Sequence, residues 1–172
     1  MVCGAVVAPL QAMVLKPADL GSLVASARVI VHGRVVSTRA QSSDRTRIET
    51  VVTVEATDYF KGDLGREVTF VVPGGTLGRY RTVVSGAPQL AAGDEVVLFL
   101  GTRGPAMPYL VRLGEGVFRV QRDARSGQGI VNRHPVVAQS ASWQRVARGA
   151  PGEPLSVGAF GAMVRALAGG AR

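Results

Sequence analysis

Cysteine is nearly absent: Cys3 stands alone, so no internal disulfide can form and the fold must hold by packing. Histidine is scarce too, and neither His32 nor His134 sits in a His-x-x-x-His or Cys-x-x-Cys setting. That excludes the familiar zinc spacings and reads both histidines as structural or surface groups. Lys16 and Lys61 are the only lysines, every other basic residue being arginine, which in a chain rich in Ala, Gly and Val marks compositional bias. No apolar run reaches the about 20 residues that a membrane-spanning helix needs. There is no Gly-x-Ser-x-Gly elbow, and no Gly-Lys-Ser/Thr follows the glycines at 74, 75 and 78, so neither a serine hydrolase nor a phosphate loop is indicated. Glu49 and Glu55 share a strand face but lie about 20 Å apart along it, too far for a carboxylate pair.

What is present fits a β protein. The 172 residues (17.9 kDa) are 47% hydrophobic and include 22 glycines, enough for one turn-rich domain with a real core. The net charge of +8 raises nucleic acid as a partner. The arginines are scattered, however, and even the densest group, Arg119, Arg122 and Arg125, reads as a solvated face.

Ile48 to Gly62 is the central pattern. Ile48, Val52, Val54 and Ala56 fall on one face of an extended strand, with Glu49, Thr53, Glu55 and Thr57 on the other. The strand ends abruptly at Phe60-Lys61-Gly62. Before it, Leu20, Leu23, Val24 and Ala27 have the spacing of a short helix capped by Asp19, expected to plug one end of the sheet. Val29 to Arg39 alternates, with Gly33 marking a bend that would let one strand serve two sides of a barrel. After it, Glu67 to Val72 alternates until Pro73-Gly74-Gly75 stops it, and Thr82 to Val84 is expected as a short strand within the long connection to Glu95. Glu95 to Leu100 lacks alternation and reads as a strand covered on both faces. Tyr109 to Leu113 and Val117 to Gln121 form a hairpin or one bulged strand, and Ile130 to Asn132 adds another. In the segment 134–172, Trp143 is expected to anchor a loop, Ser156 to cap a helix, and Val157, Phe160, Val164 and Leu167 to form its apolar stripe, weakened by Gly158 and Gly161. The fold class expected is mainly β: a small, OB-like barrel of five to six strands over 15–133, with a short N-terminal helix and a C-terminal helix. Residues 1–14 read as a truncated signal peptide or apolar leader lacking its basic start.

The runs Leu23 to Val35, Thr50 to Gly62, Pro73-Gly74-Gly75 and Gly93 to Leu100, followed by Gly116-Val117-Phe118-Arg119-Val120, resemble a group of exported bacterial proteins of uncharacterised function. That group is similar to the OB barrel of tissue inhibitors of metalloproteinases and netrin-type modules. The resemblance implies the barrel and export, to the periplasm or outside the cell. It does not carry over the inhibitory cysteine, because Cys3 is alone and lies in the leader.

The expected function is therefore an exported, non-catalytic protein-binding or inhibitor-like module, with no cofactor, no metal site and no transmembrane anchor, acting as a monomer. Long loops are where binding resides, so the site is expected at Gly74, Gly75, Arg79, Tyr80 and Arg81 together with the turn at Ser43. The partner to expect is another exported protein, a protease among the candidates. A nucleic-acid-binding OB barrel is the alternative. Against it, such barrels stack bases on aromatics over their second and third strands, where this chain puts Glu49, Thr53, Glu55, Glu67 and Thr69.

Overall fold

The computed structural model describes residues 20–42, 47–102, 107–133 and 155–170. Asp19, Ser43, His134, Trp143 and the apolar stretch 2–15 lie outside them. In chain order the elements are α1 (Leu20–Ser26), β1 (Val29–Ser42), β2 (Ile48–Lys61), β3 (Glu67–Pro73), β4 (Gly75–Leu77), β5 (Tyr80–Thr82), β6 (Glu95–Gly101), β7 (Tyr109–Leu110), β8 (Val117–Arg122), β9 (Gly129–Arg133) and α2 (Val157–Gly169).

A seven-stranded sheet runs β1-β2-β3-β7-β6-β8-β9, and β1 also pairs with β6. The chain β1-β2-β3-β7-β6 thus returns to β1 as an OB-like barrel. Its seam is thin: β3 and β7 meet in parallel through the single pair Val71 and Tyr109. β1 serves both sides as its glycine foretold, pairing with β2 along its length and with β6 over Val29 to Arg34. β7 and β8 are the bulged strand, since both pair with β6. Between them Arg112 and Leu113 adopt φ of 52° and 51°, leading into a single 3₁₀ turn, Leu113–Gly116.

The core has two layers. Val31, Val35, Val52, Val54, Val68, Phe70, Leu98 and Leu110 fill the barrel. On the outer face of the sheet, Leu23 and Val24 of α1 and Phe160 and Val164 of α2 cover Ile30, Val97, Phe99 and Phe118. Helix α1 therefore does not plug the barrel end. The interior is already occupied by valine, leucine and phenylalanine, whereas the odd-numbered residues Val97 and Phe99 of β6 need cover on the other side. This accounts for the unbroken apolar run of β6, which is buried from Val96 to Gly101.

β2 changes faces near its end. The pairing slips between Gly33–Ala56 and His32–Asp58, leaving Thr57 as an extra residue. Beyond this bulge Tyr59 packs on the barrel interior and Phe60 joins the outer cluster. Lys61 then donates from Nζ to the Val24 carbonyl at 2.7 Å, satisfying the end of α1. Gly62 turns with φ of 64°, where a Cβ would come within 2.7 Å of the Arg28 carbonyl oxygen. The abrupt exit at Phe60-Lys61-Gly62 is thus the place where β2 meets α1.

Helix α2 begins as expected, with Ser156 Oγ accepting from the Ala159 amide at 3.2 Å. The buried stripe is Phe160, Gly161 and Val164, with Val157 and Ala168 partly buried beside it. Leu167 is 40% exposed, because the stripe drifts to Ala168 as the helix turns. Gly161 is a requirement of packing, since a Cβ there would lie 2.7 Å from the Phe60 ring.

Candidate functional site

Where β3 ends at Pro73, the chain crosses the end of β2. The Gly74 amide donates to the Ile48 carbonyl at 2.9 Å, and Thr50 Oγ1 donates to the Gly74 carbonyl at 2.8 Å. Two glycines are needed here. Gly74 has φ of 93° and Gly75 of 143°, and Cβ atoms on them would meet the Thr82 carbonyl oxygen at 2.9 Å and Thr50 Oγ1 at 2.5 Å. Their role is to let the backbone pass this close and to aim the following hairpin.

That hairpin is β4 and β5, paired as Gly75–Thr82, Thr76–Arg81 and Leu77–Tyr80 around the turn Gly78-Arg79. Gly78 has φ of 58°, as the first position of a tight hairpin turn demands. The expected strand at Thr82 to Val84 is thus displaced towards the turn. Val83 and Val84 lie beyond the ladder, and Val83 is 73% exposed.

The connection to β6 is pinned from several sides. Ala87 N–H donates to the Val84 carbonyl at 3.1 Å, with Gly86 at φ 81° in the turn between them. The Gly86 carbonyl accepts from the Gly114 amide at 2.9 Å, Ala87 and Leu90 rest on the barrel core, and Arg119 donates both to Asp94 at 2.7 Å and to the Gln89 carbonyl.

Together these segments enclose an open groove of about 240 Å³ at the barrel mouth. Val52 and Val72 reach it from the barrel wall, Ala87 and Leu90 from the pinned connection, and Thr76 and Arg81 from the hairpin. Of the expected site residues, the structure brings Gly74, Gly75 and Arg81 into this groove. Arg79 and Tyr80 do not line it. They sit at the hairpin tip, where Arg79 Nη2 donates to the Tyr80 hydroxyl at 2.8 Å with the guanidinium 5.0 Å from the ring centroid. Tyr80 is 61% exposed, and Leu77, its cross-strand partner, 39%. Ser43 lies outside the described residues.

A second polar cluster lies on the outer face of the sheet. His32 is buried, donates from Nε2 to the Glu95 carboxylate at 3.0 Å and stacks on Phe60 at 6.3 Å between ring centroids. Arg122 holds the other Glu95 oxygen at 3.0 Å, and Arg34 stands 3.7 Å away. Burial pushes the Glu95 carboxyl up, but the hydrogen bonds from His32 and Arg122 and their charges outweigh it and hold the group below its usual range. The cluster was not legible as a site in the sequence. Alternation places His32 and Arg34 on one face, but only the long-range pairing of β1 with β6 sets Glu95 opposite Arg34.

A carboxyl depressed by folding stabilises the fold above its unfolded value of about 4.5, and that contribution is lost as pH falls through the lower folded value. Glu95→Gln is accordingly expected to flatten the decline of unfolding free energy between about pH 5 and pH 3. At neutral pH, Glu95→Ala should cost about 1–3 kcal/mol by leaving the buried His32 without its partner. Urea titrations across pH check both, and an unchanged acid slope in Glu95→Gln would show that the acid sensitivity lies elsewhere.

Several of the arginines on the sheet are matched by carboxylates. Arg119 and Arg122 pair with Asp94 and Glu95, and Arg66 pairs with Glu55 at 2.9 Å. On the outer face of β2 and β3, Thr53 opposes Thr69 and Glu55 opposes Glu67. Like charges directly across a ladder repel a phosphate backbone. No helix among the described residues is long and apolar enough to cross a membrane.

No protein-family model matches the chain, and no curated protein matches it.

Proposed function

We propose that the chain is an exported, non-catalytic module that binds another protein at the mouth of its barrel. The observation that carries this reading is the pairing of a pinned, partly apolar groove, with exposed Val83 in its lining, and the exposed side chains of Tyr80 and Leu77 beside it. Exposed aromatic and aliphatic groups next to a formed concavity are what protein interfaces use as anchors. Export follows from the apolar, signal-like stretch 2–15 and from the resemblance to exported barrels.

The nucleic-acid reading has the net charge of +8 in its favour. The glutamates on the outer face of β2 and β3, and the pairing of Arg119 and Arg122, weigh against it.

The test is a pull-down from the periplasmic or extracellular fraction with the chain and its variants Arg79→Ala, Tyr80→Ala and Val83→Ser, with Thr69→Ala on the opposite face as control. Tyr80→Ala is expected to weaken partner binding by about 2 kcal/mol, as loss of an interfacial tyrosine does. Partners retained equally by all the mouth variants would place the interface elsewhere. Retention of single-stranded DNA or RNA at low salt would favour the other reading.

A further inference from the structure

We infer that the barrel mouth takes its partner as an extended, acidic segment added as a strand to the free edge of β5, with Arg81 holding a carboxylate. This rests on the protein-binding reading above and names the chemistry of the partner.

Two independent features lead to it. The first is the strand edge. β4 and β5 form a two-stranded sheet of their own, so β5 pairs with β4 alone among the described strands. Around a two-residue turn the pair that closes it, Leu77 and Tyr80, exchanges hydrogen bonds, and the next pair, Thr76 and Arg81, does not. Both backbone polar groups of Arg81 therefore point away from β4. Among the described residues neither has a hydrogen-bond partner. Exposed strand edges of this kind template the addition of another strand.

The second feature is charge. The groove lining contains no Asp or Glu, and Arg81 is its sole charged residue. Arg81 is exposed and makes no salt bridge with a described residue, in contrast to Arg66, Arg119, Arg122 and Arg165, which all have carboxylates. An added strand would run past this guanidinium. Its backbone would meet the Arg81 N–H and C=O, alternate side chains would reach the apolar floor at Val72, Ala87 and Leu90, and a carboxylate between them would meet the cation. A basic segment would bring like charges together there, and a neutral one would leave the guanidinium without a counterion.

The probe is a bead-displayed random library of short peptides, about eight residues long, with both termini blocked so that carboxylates come from Asp and Glu alone. It is selected against the full chain. Enriched sequences are expected to carry Asp or Glu near the middle, to bind Arg81→Glu about tenfold or more weakly, and to slow hydrogen exchange at the Arg81 amide. Selected peptides without acidic enrichment, equal binding to Arg81→Glu, or unchanged exchange at Arg81 would each overturn the inference. So would self-association of the chain that protects the β5 edge in place of peptide. Peptides that ignore Arg81→Glu but lose binding to Tyr80→Ala would end the acidic-strand inference and leave the mouth as a protein-docking surface. Binders indifferent to both variants would end both readings.

Discussion

Gly33→Val is expected to cost about 3 kcal/mol or more of folding free energy and to leave much of the chain unfolded at moderate temperature. At Gly33 a Cβ would lie 2.4 Å from the Glu55 carbonyl oxygen and 2.7 Å from Val54 Cγ1. The first of these is backbone, so it cannot rotate away. β2 would have to retreat along the stretch where Gly33 opposes Ala56 and Arg34 opposes Glu55. β1 is also the strand that closes the barrel onto β6, with Gly33 opposite Val96. Displacing it opens both joints, and a domain held by only about 5–15 kcal/mol tolerates little of that. Urea unfolding measures the effect. The control is Gly158→Ala in α2, where a Cβ meets nothing within 4 Å. That variant should gain up to about 1 kcal/mol from helix propensity. If Gly33→Val unfolded at the same urea concentration as the parent chain, the close approach of β1 and β2 would not be a constraint on this fold.

Gly33 as the bend that lets β1 pair on two sides was legible in the residues alone. Alternation identified β1, β2 and β3 with their inward faces, and the solid run of β6 announced a strand covered on both sides. The barrel, with a helix near each end, follows from those patterns. What alternation does not contain is an extra residue. The bulge at Thr57 exchanges the faces of Tyr59 and Phe60, and nothing in the spacing from Ile48 onward signals it. Helix placement was equally hidden, because Leu23 and Val24 could cap an end or cover a face. The choice depends on β6 exposing Val97 and Phe99 outward, a tertiary fact. At the barrel mouth, the glycines and the long connection that stood out in the sequence are the segments that enclose the groove. Only the hairpin register separates Arg81, which lines the groove, from Arg79 and Tyr80 at the tip. Glu95 was missed for a related reason: its partners His32 and Arg122 come from strands distant in the chain.

Phe160→Ala should cost about 3–5 kcal/mol, and the loss should be felt first in α2. Phe160 is 3% exposed and stands in a row of rings, 5.1 Å from Phe118 and 6.4 Å from Phe60, with Phe99 a further 5.3 Å beyond Phe118. Most of these rings belong to the sheet and remain buried among other strands if one neighbour is removed. For α2 the case differs. Its buried side chains are Phe160 and Val164, supported by the contact of Arg165 with Asp58 at 2.7 Å, which is half exposed and adds little. Removing Phe160 therefore takes the largest apolar side chain that docks the helix, and the cavity left faces the outer cluster rather than the barrel interior. Phe70→Ala, by contrast, should cost a similar amount from within the barrel. Hydrogen exchange separates the two variants: Phe160→Ala should speed exchange across Val157–Gly169 while β6 stays protected, and Phe70→Ala should lower protection throughout. Equal loss of protection in β6 and α2 in the Phe160 variant would mean that the outer layer and the barrel fold as one cooperative unit.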